Sequence, residues 1–162
     1  MAVRPLRLAP DPVLRQKAKR VRNMDESVEK LIDDMVETMP AVSGVGLAAP
    51  QVGVPLQVAV IGIPDEELIV LINPEIVKRS GERIVVEGCL SIPGYRGEIK
   101  RSVSVTVKGR DRHWRKVRLK ATEFLAQALE HEIDHLNGVL YIDHMESPDK
   151  LYQIEPGEER GL

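Results

Sequence analysis

His131-Glu132-Ile133-Asp134-His135 places two imidazoles four residues apart, with a carboxylate directly after the first. On a helix such residues share a face about one turn apart, so His131 and His135 can grip one metal ion while Glu132 lies at the edge of that face. The pattern H-E-x-x-H thus carries two ligands and the acid/base of a hydrolytic metal centre. Two histidines satisfied inside a half-buried helix would look the same, and the identity of a third ligand decides between these readings.

In secreted zinc proteases the motif extends to H-E-x-x-H-x-x-G-x-x-H. Here Gly138 holds the glycine position, but Tyr141 stands where the third histidine belongs. Asp143, His144 or Glu146 would serve only in another downstream arrangement. Cys89, the single cysteine, is the stronger candidate, in Glu87-Gly88-Cys89-Leu90-Ser91 between a β-rich run and an Ile92-Pro93-Gly94 break. A lone cysteine is ordinarily a small buried hydrophobe. A thiolate beside two imidazoles would complete a three-ligand site and leave a position open for water.

Hydropathy patterning gives the elements that must position these groups. Val28, Leu31, Ile32, Met35, Val36 and Met39 follow helical spacing and predict a helix over 26–39, ended by Pro40 and Gly44-Val45-Gly46. Strands are expected over 56–63 and over 68–72, the latter stopped by Asn73-Pro74. Val103, Val105 and Val107 alternate with polar residues as a half-exposed strand; 109–113 turns and 114–119 returns as its hairpin partner. The metal helix begins near Thr122, an N-cap, with Glu123 in its first turn. Phe124, Leu125, Ala128, Leu129, Leu136 and the two histidines form its inward stripe, and Gly138 stops it. Strands mixed with two separated helices, without regular alternation, indicate an α+β class. Residues 1–146 read as a single catalytic domain and 147–162 as a short, polar, flexible tail.

At 162 residues the chain suits one domain with a real core. One cysteine excludes an internal disulfide and suits a reducing compartment. A formal charge of -2 and few aromatic residues argue against a dedicated nucleic-acid binder. No apolar stretch nears the ~20 residues that span a bilayer, so no membrane role is expected. The run 1–22 is basic enough for an organellar transit peptide, but Pro5, Pro10 and Pro12 favour a structured arm. The bacterial cytoplasm is the expected location, an organelle matrix the second choice.

Gly44-Val45-Gly46-Leu47-Ala48-Ala49-Pro50-Gln51, Glu87-Gly88-Cys89-Leu90-Ser91 and His131-Glu132-Ile133-Asp134-His135 resemble, in this order, the three motifs of peptide deformylase. That enzyme removes the formyl group from the N-terminal formyl-methionine of new bacterial and organellar proteins. The resemblance runs from Asp11-Pro12-Val13-Leu14 to about Met145. It implies antiparallel β-sheets packed around a central metal-binding helix, with a second, N-terminal helix. It implies Cys89, His131 and His135 as ligands of one divalent ion, Fe(II) in the cell, with Zn(II) or Ni(II) also accommodated.

By the same resemblance, water activated by the metal attacks the formyl carbon. Gln51 through its amide and Leu90 through its backbone N–H stabilise the oxyanion, and Glu132 carries the proton to the leaving amine. Gly44, Val45, Gly46 and Gly88 would let an extended substrate backbone lie alongside, although these glycines also suit ordinary turns. Val45, Val85, Phe124 and Ala128 are the candidates for the methionine pocket, and equally ordinary core residues. Arg96 matches a position that binds substrate backbone. Glu87 is expected to pair with Arg101 and steady the Cys89 loop.

Two features depart from the family pattern. Glu130 precedes the first histidine where the family often has Gln; its carboxylate would either perturb the metal helix or point outward. The chain ends in the acidic Glu155-Pro156-Gly157-Glu158-Glu159 region, not in the long basic helix with which some members dock on the ribosome. Lys108, Arg110, Arg112, Arg115, Lys116, Arg118 and Lys120 read as a solvated charged face, with a transient ribosomal RNA contact as the sharper alternative. The competing functions are an internal-bond metallopeptidase and a non-catalytic binder of nascent N-termini.

Overall fold

The structure, a computed structural model, describes residues 2–154. Its helices are α1 (Glu26–Ala41) and α2 (Glu123–Leu136). The strands are β1 (Gly46–Ala48), β2 (Val58–Ile61), β3 (Ile69–Ser80), β4 (Arg83–Cys89), β5 (Ile92–Arg101), β6 (Ser104–Arg110), β7 (Lys116–Thr122) and β8 (Leu151–Gln153). They form a five-stranded antiparallel sheet in the order β1-β2-β3-β6-β7 and a three-stranded antiparallel sheet, β4-β5-β8.

Alternation along β2 explains the layering. Val58 and Val60 point to one face and join Leu31, Ile32 and Met35 of α1. On the opposite face Ile61, with Leu71, Val105 and Val107, meets Ala126, Ala128, Leu129 and Ile133 of α2. A strand covered on both sides reads as an unbroken apolar run, and all four residues of β2 are buried. Beyond α2 lies the smaller sheet, where Val85, Cys89 and Ile99 pack with Tyr141. α2 is therefore central, as expected for the helix that carries the two histidines. Asp25 caps α1 by accepting the Val28 N–H at 3.0 Å, and Glu26 and Glu29 complement the helix dipole. The helix runs two residues past 39, taking Pro40 into its last turn, where one lost hydrogen bond is tolerable.

Four expectations need correction. Asn73-Pro74 does not stop β3: Asn73, at φ 53°, makes a bulge, and its side-chain amide pairs with both backbone groups of Val21 at 2.8 Å. Ile92-Pro93-Gly94 opens β5. Between the pairs Glu87↔Gly97 and Cys89↔Ile92 the chain bulges, so Pro93 owes no ladder N–H there. The tail from 147 is partly ordered, because β8 pairs with Tyr95, Arg96 and Gly97 of β5; residues 155–162 lie outside the described region. Phe124 does not belong to the inward stripe of α2, being 43% exposed. In a smaller shift, the β6–β7 turn is built on Asp111, whose side chain accepts the N–H groups of His113 and Arg115, and Gly109 lies within β6.

Candidate metal centre

His131 and His135 project from α2 toward the hairpin between β4 and β5. Their Nε2 atoms are 3.2 Å apart, and Cys89 Sγ lies 3.3 Å from His135 Nε2. The three donor atoms all fall within 4.8 Å of one another and all three residues are buried. A thiolate and two imidazoles converging this closely fit a divalent transition ion. The other candidates for third ligand are occupied: Asp143 by Arg15, His144 by Asp134, and Glu146 by Lys100.

Cys89 closes β4, and Leu90-Ser91 is the two-residue turn into β5, with Gly88 at the bulge. Below the turn, Glu87 is buried and receives His131 Nδ1, Arg101 Nε at 3.0 Å and Gln127 Nε2 at 3.1 Å. The Arg101 guanidinium also donates to Asp134 at 2.7 Å. Burial pushes the Glu87 carboxyl up, but His131 and Arg101 outweigh it and hold the group at about 2. A carboxylate on Nδ1 keeps the proton there and turns the Nε2 lone pair toward the other ligands. The expected Glu87–Arg101 pair is present. Gln127, Asp134 and Ser91 were missed as members of the site, although Gln127 lies one turn before His131, a spacing that could have drawn attention to it.

Glu132 is fully buried, and neither carboxylate oxygen has a hydrogen-bond partner among the described residues. Burial raises its pKa to about 7, opposed by His131 and reinforced by Glu87; a cation among the ligands would draw it back down. Gly46 leaves room for this carboxylate. A Cβ there would stand 2.5 Å from Glu132 Oε2. Gln51 sits in a buried 3-10 turn after β1. Its Oε1 accepts the Ala48 N–H at 3.0 Å, and its Nε2 lies 3.2 Å from Ser91 Oγ and 3.7 Å from Cys89 Sγ. Gly44 packs against Leu90, where a Cβ would meet Leu90 Cδ1 at 2.7 Å.

All three sequence motifs thus meet around one point. A family model described as polypeptide deformylase matches residues 3–151. The chain belongs to the polypeptide deformylase family. Members of this family are hydrolases that remove the N-terminal formyl group from nascent peptides. A peptide deformylase of Dehalococcoides mccartyi strain CBDB1 is 58% identical over 160 residues, 98% of this chain and 96% of the relative. The crystal structure of a peptide deformylase from Legionella pneumophila superposes with a TM-score of 0.88 at 47% identity, covering 92% of this chain and 89% of that one. A peptide deformylase from Synechococcus elongatus, solved in complex with actinonin, gives 0.86 at 43% identity, over 90% and 80%.

The deformylase pocket candidates are less concentrated than the ligands. Val45 and Ala128 belong to the cluster between α2 and the large sheet, whereas Val85 packs with Cys89, Ile99 and Tyr141 on the other side. Phe124 is largely in solvent. Arg96 lies on β5 opposite Tyr152 and not in a loop. Glu130 takes neither expected course. It is buried but turned from the ligands, accepting the Ser102 N–H at 2.7 Å, the Ser102 hydroxyl at 3.1 Å and Arg79 Nε at 3.2 Å. No helix among the described residues is long and apolar enough to cross a membrane.

Proposed function

We propose that Cys89, His131 and His135 hold one divalent ion, Fe(II) in the cell, and that Glu132 is the acid/base in hydrolysis of formyl-methionyl peptides to formate and a free N-terminus. The observation that carries this is the unengaged, buried Glu132 carboxylate beside three converging donor atoms. The ion supplies Lewis acidity and brings the pKa of a water near neutrality; Zn(II) or Ni(II) suits the same donor set.

Glu132 takes the proton of the attacking water and passes it to the amine nitrogen as the C–N bond breaks. Gln51 Nε2 and the Leu90 backbone N–H donate to the formyl oxygen as charge builds there, each contributing ~3 kcal/mol. β1 has one edge of the large sheet to itself, so an extended substrate can lie along Gly44, Val45 and Gly46, with Gly88 facing it from the Cys89 loop. Val45 and Ala128 on one side of α2, Val85 on the other and the exposed Phe124 are the residues proposed to meet the methionine side chain, and Arg96 to bind substrate backbone. Such a substrate places the protein in the bacterial cytoplasm, in transient contact with the ribosome.

Formate release is to be measured anaerobically with Fe(II), because an Fe(II)–thiolate site is oxidation-prone. Glu132→Ala should keep its metal and lose at least ~100-fold in rate, whereas Cys89→Ser should lose metal. Full activity in the first variant, or full metal retention in the second, contradicts the assignment.

A further inference from the structure

The chain is slightly acidic as a whole, yet β6 and β7 carry a cluster of cations. The β6–β7 register sets Lys108 directly opposite Arg118 and Arg110 opposite Lys116. Like charges facing each other weaken a strand pair. Packing does not require them, since the core is served from the same two strands by Val105, Val107, Val117, Leu119 and Ala121. Beside this ribbon lies a surface cavity of about 310 Å³ lined by Arg20, Lys108, Arg110 and Lys116. A second, of about 280 Å³, is lined by Lys17, Arg20 and Arg79. Arg20 and Glu75 line both, so the cavities form one track.

Counter-charge along the track is sparse. Glu75 reaches Lys108 at 3.9 Å and Glu130 holds Arg79. Among the described residues no carboxylate lies within ion-pair distance of Lys17, Arg20, Lys116 or Arg118. No large exposed apolar side chain lines either cavity, so there is no wedge for a membrane. The nearby indole of Trp114 is covered by the Arg110 guanidinium at 5.0 Å and offers no free platform for stacking bases.

We infer that this track, from Lys17 and Arg20 across Lys108, Arg110, Lys116 and Arg118, binds the phosphate backbone of RNA by charge and not by sequence. The choice of RNA over DNA rests on the proposed substrate, which is met where chains are translated; the electrostatic argument stands without it. Backbone recognition releases counterions, so affinity must fall linearly with salt on logarithmic axes.

The experiment is fluorescence anisotropy of a short labelled RNA with the full chain, titrated at several salt concentrations from about 50 mM. Wild type should bind, a DNA of equal length should bind comparably, and Arg20→Glu/Arg118→Glu should weaken binding at least tenfold. Each phosphate contact removed should lower the salt slope by about one, with formate release unchanged. Lys150→Glu, in the turn just before β8, should leave binding intact. Should the double reversal fail to fold by circular dichroism, Arg20→Gln/Arg118→Gln should weaken binding in the same direction. Absence of RNA binding by wild type overturns the inference. So does equal loss in Lys150→Glu, undiminished binding by the folded double variant, or tighter binding to polyglutamate or anionic vesicles than to RNA. None of these readings depends on catalysis.

Discussion

At the scale of residues, His131, a proposed ligand, owes its orientation to groups outside the three donor residues. Glu87 fixes the tautomer of His131, Arg101 neutralises Glu87, and Asp134 with His144 holds Arg101. Glu87→Gln should retain the fold but lower metal affinity roughly 10- to 100-fold, which a chelator competition would measure; unchanged affinity would show that His131 is oriented by packing alone. Arg101→Leu should do more harm, leaving the buried Glu87 carboxylate without its guanidinium and with only His131 and Gln127 as partners, at about 3–5 kcal/mol in urea unfolding. The Glu87–Arg101 pair was legible as opposite charges on neighbouring strands, although the register sets Glu87 opposite Gly97 and Arg101 opposite Arg83, so the pair is made by the reach of the arginine side chain. Glu130 was not legible. Successive residues on a helix point about 100° apart, so sequence adjacency to His131 says nothing about facing the three donor atoms, and what Glu130 meets instead, Arg79 of β3 and Ser102 of the β5–β6 connection, is far along the chain.

At the scale of elements, close approaches replace side chains where the motifs meet. The Gly46 backbone in β1 lies against the Glu132 carboxylate. Gly46→Ala should therefore displace Glu132 and cut kcat of formate release by at least tenfold with metal content unchanged; a loss confined to KM would move the role of Gly46 to substrate pairing. Gly138 ends α2 at φ 75°, and a Cβ there would stand 2.5 Å from the Arg15 carbonyl oxygen. Gly138→Ala is expected to cost about 1–3 kcal/mol, seen as a lower Tm. The helices and the β6–β7 hairpin were readable because their periodicity is local. β3 and β5 were underestimated because their breakers are accommodated: Asn73 by Val21, a partner far along the chain, and Pro93 by a bulge opposite Gly88 within its own hairpin. No local pattern encodes a partner as distant as Val21. The alternation in β8 is too short to register, and its place is set by β5.

At the scale of the molecule, the N-terminal arm ties together parts that carry different motifs. The Arg7 N–H donates to the Gln51 carbonyl at 2.7 Å and the Ala9 N–H to the Ser91 carbonyl at 2.8 Å, bridging the loops that bring the proposed oxyanion donors. Upstream the arm is anchored on α1, where buried Asp34 accepts from the Ala2 N–H and Arg4 Nε, both at 2.8 Å, and from Lys30 at 3.1 Å. Burial raises the Asp34 carboxyl, but the hydrogen bonds from Arg4, Lys30 and Ala2 prevail and hold it at about 2, below its ordinary 3.8. Because the folded pKa is depressed, the ionised group stabilises the fold fully above the ordinary value. That contribution fades as pH falls from about 4 toward 2. Asp34→Asn removes the titration while keeping the shape. Urea unfolding should find the variant less stable than wild type at pH 7, by about 1–3 kcal/mol, with the gap closing as pH approaches 2. A constant gap across that range would mean that the arm is held by its backbone contacts and not by the Asp34 charge.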